Sequence, residues 1–269
     1  MLLDNTKNGF TLKSNFELIK AYFLFKIISN KTLTNIGKTA LEVALKLRIP
    51  ILFIVKGTVF EQFCSGETLD ESMDTVKKLN KKNVKSYLHY SVEGLENEDS
   101  YDISLEEVLS SIELVAKKPI LDFTVFKPTA IASTQILKKV SSNKSLDKRE
   151  KILFEKSLDR FDKICFLAYK KNVRVLVDAE ESWIQNAIDE IVLSMMMRYN
   201  KEKAIVFNTS QMYRHDRLNY LKTLHGKAIR NNFFLGIKLV RGAYIEKENK
   251  RAKKNNYLSP ICRSKELTD

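Results

Sequence analysis

The sequence predicts an α/β fold, with a helical segment over residues 1–82 and then about five βα units over residues 83–269 around a parallel sheet or barrel. Three observations predict it. The 269 residues suffice for one barrel-sized domain, or for a medium α/β domain with a helical appendage. After Lys82, short β-rich runs alternate with amphipathic helical stretches, the rhythm of strands joined by crossover helices. The strand runs are apolar almost without interruption, as burial on both faces requires.

The elements follow in order. Residues 15–82 read as helices, with apolar residues three and four apart in NFELIKAYFLFKIIS and TNIGKTALEVALKLRI; Thr34 is a candidate N-cap, and Pro50 biases its predecessor out of the helix. FIVKGTVFEQFCSG reads as a helix or irregular linker ending at Ser65-Gly66, and LDESMDTVKKLNKK as another charged helix. The predicted strands are residues 84–92, 120–127, 173–179, 203–209 and 233–240. Between them, helices are predicted over KILFEKSLDRFDKICFLAYKK, ESWIQNAIDEIVLSMMMRY and MYRHDRLNYLKTLHGKAIRNN, the first with one apolar stripe from Ile152 to Tyr169. Met195, Met196 and Met197 read as core filler, Trp183 as the anchor of its helix, and EKENKRAKK as a solvated helix face laced with opposite charges.

Composition narrows the class. Hydrophobic residues at 44%, charged residues at 29%, and only 8 Gly and 4 Pro exclude a disordered or collagen-like chain. Cys64, Cys165 and Cys262 lie far apart, which argues against a zinc site or a disulfide framework and for a reducing compartment. His89, His215 and His225 have no metal-ligand spacing. Leu18 to Ile28, the most apolar early run, is interrupted by Lys20 and Lys26, so no signal peptide or membrane span is expected. The net charge of +13 rests on 35 Lys and 11 Arg, alongside 19 Asn; a coding bias explains it as readily as an anionic partner.

Parallel α/β folds build their ligand sites at the carboxyl ends of the strands. Each predicted strand ends in polar or charged residues: Glu93; Lys127; Asp178, Glu180 and Glu181; Asn208 and Thr209; Lys238 and Arg241. Glu180 and Glu181 also read as ordinary acidic residues at a helix start. In KLVRGAY (238–244), a fixed cation and a glycine at a strand end suit a flat, anionic cofactor.

With VDAEE (177–181), FKPTA (126–130), FNTSQMYRHDRL (207–218) and the terminal SPICRSKELTD, the chain from about Lys85 onward resembles the proline dehydrogenase family. The resemblance implies a (βα)₈ TIM-type barrel, here incomplete, that binds FAD, oxidises L-proline to pyrroline-5-carboxylate and passes electrons to a quinone. By the same resemblance, Lys127 helps hold the substrate carboxylate, and Leu239 and Tyr244 pack on the substrate ring. Asp178 and Ala179 lie against the active site and flavin, and Asn208 hydrogen-bonds the flavin ring. Lys238 and Arg241 flank the flavin, the backbone of Gly242 and Ala243 approaches it, and Lys265 lies near its phosphate or adenosine end. Ser210 stands where many members have tyrosine. Asp178 is further expected to pair with Lys127, and Lys127, Asp178, Asn208 and Arg241 to line one mouth. Family members continue with three more strands and a last helix carrying an Arg-Arg pair; these do not follow Asp269, so a fragment or truncated frame of doubtful activity is expected. The expected location is the cytoplasmic side of a bacterial membrane, with peripheral attachment through Lys-rich helices, or the mitochondrial matrix of a eukaryotic host. Two alternatives stay open: another flavin- or phosphate-binding barrel enzyme, and a basic, non-catalytic module for RNA or anionic lipid. The first reading expects no nucleic acid partner.

Overall fold

The computed structural model describes residues 6–88 and 96–269. The predicted residues His89 and Glu93 lie outside the described residues. The chain divides into two compact units, residues 1–85 and 86–269.

The first unit is helical. Helix α1 (Asn15–Ile28) opens on a capping box, Ser14 accepting from the Glu17 amide while the Glu17 side chain accepts from the Ser14 amide. Helix α2 (Lys31–Lys46) starts three residues before the predicted cap, because Asn30 rather than Thr34 takes the free amides of Thr32 and Leu33. The stretch before Ser65-Gly66 is a broken helix, Leu52–Val55 and Glu61–Phe63 flanking a π-turn at Lys56–Phe60. Helix α3 (Leu69–Asn80) is capped by Thr68.

Among the described residues, the second unit holds a five-stranded, wholly parallel sheet in the order β1–β2–β3–β4–β5: Ser86–Leu88, Leu121–Phe126, Arg174–Val177, Val206–Gln211 and Ile237–Val240. Helices α4 (Glu98–Lys117), α5 (Thr134–Ser141), α6 (Lys148–Lys171), α7 (Ser182–Tyr199), α8 (Arg217–Arg230) and α9 (Ile245–Lys254) intervene or follow. The spatial order never reverses, so right-handed crossovers put every helix on the same side and curl the sheet into a half-barrel. A doubly wound sheet would reverse once.

The core lies between sheet and helices, where Phe161, Ile164, Cys165 and Ala168 of α6 and Ile188, Val192 and Met196 of α7 are fully buried. Met195 is buried too, whereas Met197 is exposed. Strand β4 starts three residues and ends two residues later than predicted. The cause is Asn200, fully buried, whose Oδ1 accepts from the Ile205 and Val206 amides while Nδ2 donates to the Val206 and Phe234 carbonyls. The same grip keeps Phe234 out of β5. Helix α8 starts at Arg217, after the turn that carries Arg214. Helix α9 is exposed on most of its surface, as predicted, except at Ala252, which is buried, and Glu248, which is completely buried. Among the described residues no helix is long and apolar enough to cross a membrane, and no cluster of His, Cys, Asp or Glu could hold a metal.

Candidate functional site

Strand side chains alternate between faces, so the sheet itself decides which strand-end residues meet. Lys238 of β5 and Asp178, just past β3, form an ion pair of 2.7 Å on the concave face. The ring of Tyr87 on β1 lies 5.5 Å from the same ammonium. Burial disfavours the Lys238 ammonium, but its hydrogen bond to Asp178, with Tyr87 nearby, outweighs that and raises its pKa. The pair stays half-open, with side-chain exposures of 24% and 23%. Asp178 thus takes Lys238, not Lys127, as its partner. Lys127 directly follows β2 at the entrance to a short 3₁₀ turn, Pro128–Ala130, and has no ion-pair partner among the described residues.

Register places Thr209 beside Lys238, on the inner face. Two residues on, Gln211 points the same way: its Nε2 donates to the Glu180 carbonyl at 2.8 Å and its Oε1 accepts from the Ala243 amide at 3.2 Å. Asn208 faces the other way. Its amide nitrogen donates to Asp189 on α7 and to the Tyr220 hydroxyl on α8, and its oxygen accepts from the Thr209 amide, so it belongs to the helix layer and not to the mouth. Leu239, next to Lys238 on the strand, alternates to the outer face and is 62% exposed.

The KLVRGAY turn is held from beneath. Gly242 adopts φ +137°, and a methyl there would collide with the Tyr213 ring, so only glycine fits. Burial, then the nearby Glu248 carboxylate, pushes the Tyr213 phenol up to about 12. The Tyr244 phenol is likewise raised, by burial first and then by the charges of Glu180, Glu181 and Asp178. Ala179, next to Asp178 in the chain, is buried. Glu248 reaches from α9 to accept from the Ser182 amide at 2.6 Å and hydroxyl at 2.7 Å, capping α7. Trp183 stacks under the Arg251 guanidinium, 4.5 Å from its centroid.

Arg241 is exposed, its guanidinium forked on Asp269 at 2.6 and 2.9 Å. Beside this fork, between the turn after β4 and residues 258–269, opens a cavity of about 770 Å³ lined by Arg214, Arg263 and Met212 among others. Lys265, exposed, begins the last short helix, Lys265–Thr268. The mouth therefore offers the half-open Lys238 ammonium above a turn that Gln211 braces, which suits a planar ring able to carry negative charge, whereas Arg241 is engaged by Asp269 and does not line the mouth with Lys238 as expected. The cavity beside the fork is largely apolar, with Arg214 and Arg263 in its wall. The residues present fit a flavin.

Sequence reasoning missed Gln211, Thr129, Glu180 as more than a helix opener, and Glu248. Gln211 was reachable by counting twos along β4 from Thr209; Glu248 was not, because nothing in a lysine-rich helix announces a buried carboxylate.

Comparison with known proteins agrees with this architecture. The family model "Proline dehydrogenase" matches residues 72–269. The chain is 30% identical, over 96% of its length, to proline dehydrogenase 1, mitochondrial, of Dictyostelium discoideum, covering 52% of that protein. It is 34% identical, over 70% of its length, to the carbapenem antibiotics biosynthesis protein CarD of Pectobacterium carotovorum subsp. carotovorum, covering 50% of it. The chain thus spans about half the length of these curated relatives. Among solved structures, proline utilization A of Bdellovibrio bacteriovorus superposes with a TM-score of 0.65 at 20% identity, over 80% of this chain and 24% of that one. The corresponding protein of Corynebacterium freiburgense gives 0.64 at 16% identity, over 89% and 24%. These likenesses show the (βα)₈ barrel fold, of which the described residues hold five strands. Because the family model covers nearly three quarters of the sequence, the chain belongs to the proline dehydrogenase family.

Proposed function

We propose that this chain carries the flavin side of an active site that oxidises L-proline to pyrroline-5-carboxylate. The observation that carries the reading is the half-open Lys238–Asp178 pair on the concave face, with Tyr87 against it and the Gln211-braced turn of Gly242 and Ala243 beside it. FAD, when bound, supplies the acceptor for the hydride, so no protein nucleophile is needed. Asp178 fixes the Lys238 ammonium at 2.7 Å, giving the mouth a placed positive charge. Arg241, charged at any accessible pH, would have to exchange its fork on Asp269 for the ring to stabilise negative charge there. Lys127 takes the substrate carboxylate, and Tyr244 closes over the substrate ring. Ala179, Gly242 and Ala243 shape the wall, and Lys265, with the Arg263 cavity, takes the phosphates. Asn208 and Leu239 contribute no contact here, because both face away from Lys238.

A quinone receives the electrons in this reading, which puts the reaction beside a membrane: the inner face in a bacterium, the matrix side in a mitochondrion. Attachment is peripheral, through the Lys-rich helices, and weakens with salt in vesicle flotation. The decisive experiment is the visible spectrum of the purified protein loaded with FAD. Addition of L-proline bleaches the flavin band; a band that persists refutes the assignment and favours another flavin barrel. Absence of flavin binding with salt-steep RNA affinity would favour the basic module.

A further inference from the structure

Glu180 immediately precedes the α7 cap, where acidic residues ordinarily serve the helix terminus. Its carboxylate does something else. Glu180 is 5% exposed, and both its oxygens reach 51 residues back along the chain: Oε1 accepts from the Thr129 amide at 2.8 Å and Oε2 from the Thr129 hydroxyl at 2.7 Å. The α7 terminus is served instead by Glu248, through Ser182. The main chain of Glu180 is tied down as well, its N–H donating to Gln185 Oε1 at 3.0 Å and its carbonyl accepting from Gln211, which in turn holds Ala243. One residue therefore joins the ends of four strands. Thr129 lies two residues after Lys127, Asp178 lies two before Glu180, Gln211 ends β4, and Ala243 sits in the turn after β5. A buried carboxylate that merely filled space would be costly; one forked on an amide and a hydroxyl of a distant turn fixes that turn.

We propose that Glu180 is a positioning residue: by clamping Thr129 it sets the Pro128–Ala130 turn and hence the place at which Lys127 presents its ammonium to the substrate carboxylate. The Ala130 amide donates to the Lys127 carbonyl at 3.0 Å, so a shift of the turn is passed directly to Lys127. The role given to Lys127 rests on the proline oxidation reading above; the clamp itself does not.

The test uses the full chain with four variants: Glu180→Gln, Thr129→Val, Thr129→Ser and, as a control on an exposed turn, Glu202→Gln. Misplacing a group that binds the substrate equally in ground and transition states raises KM and spares kcat. Glu180→Gln raises KM for L-proline about tenfold, the loss of roughly one charge-assisted hydrogen bond, with kcat held within about threefold. Thr129→Val moves KM the same way by less, while Thr129→Ser, which keeps the hydroxyl, and Glu202→Gln leave it unchanged. Amide hydrogen exchange over residues 126–131 is followed without flavin or substrate, and quickens about tenfold in Glu180→Gln. An unchanged KM with a lowered melting temperature in Glu180→Gln would make the residue structural only, and unchanged exchange at 126–131 would overturn the clamp outright. Should the wild-type protein bind flavin but fail to bleach with proline while exchange still quickens, the substrate reading falls and the clamp remains.

Discussion

Two ion pairs of equal length lie on opposite faces of one sheet. Lys238–Asp178 and Arg217–Asp189 each close at 2.7 Å, but the first is about a quarter exposed and the second only 4% and 5% exposed. Asp189 is saturated: it also accepts from Asn208 and Gln185, and Arg217 shares Asp216 with Arg214. Asp178 and Lys238, in contrast, keep donor and acceptor capacity facing a concave space. A sealed, satisfied network holds α7 and α8 on the sheet; an open one is left able to meet a ligand. Distance alone does not separate a structural pair from a functional one. Exposure and leftover hydrogen-bonding capacity do.

The sharpest way to break this contrast is Arg217→Met. It strands the Asp189 carboxylate in the interior and should cost about 3–5 kcal/mol in urea unfolding. A loss under about 1 kcal/mol would mean that the buried network is no more structural than the open pair. Next is Gly242→Ala, where strain at φ +137° adds to collision with Tyr213. Destabilisation of about 3 kcal/mol by the same measurement is expected, together with weaker flavin retention on gel filtration. Lys238→Met reverses the pattern: stability changes by less than about 1 kcal/mol, because the pair is part-exposed. The rate of flavin bleaching by proline falls about a hundredfold, the size of effect seen when one placed electrostatic donor is removed. Equal losses of stability at 238 and 217 would erase the distinction.

The smallest effect is one of pH. Burial opposes the Asp216 charge, yet hydrogen bonds from Arg217 and Arg214 hold its carboxyl at about 2, below the ordinary 3.8. A depressed folded pKa adds stability that is fully present above about pH 4 and drains away as pH falls toward 2. Urea midpoints measured across that range should fall with acid in the wild type and less steeply in Asp216→Asn.

Much of the architecture was legible because it is local. The βα rhythm, the nearly continuous apolar strands and the N-terminal helices all express periodicity, which neighbouring residues settle among themselves. Caps and boundaries were less so: Asn30 displaced Thr34 because it was better placed to accept from two amides, and Asn200 moved β4 by gripping backbone on both sides of it. At the mouth, the strand-end positions of Lys127, Asp178 and Lys238 were readable, but partnership was not. Asp178 was expected to choose Lys127, on the adjacent strand, and took Lys238, 60 residues away.

By itself the sequence determined that strands and helices alternate, which residues end each strand, and that side chains along a strand fall on two faces. Tertiary structure alone decided which face was the inner one. Period two relates Thr209 to Gln211 and sets both against Asn208, but only packing of α7 and α8 on β4 says that Asn208 turns to the helices. The same holds for Glu180 and Glu248, two acidic residues among many, whose carboxylates found buried N–H and O–H donors only once segments 51 and 66 residues apart had come together.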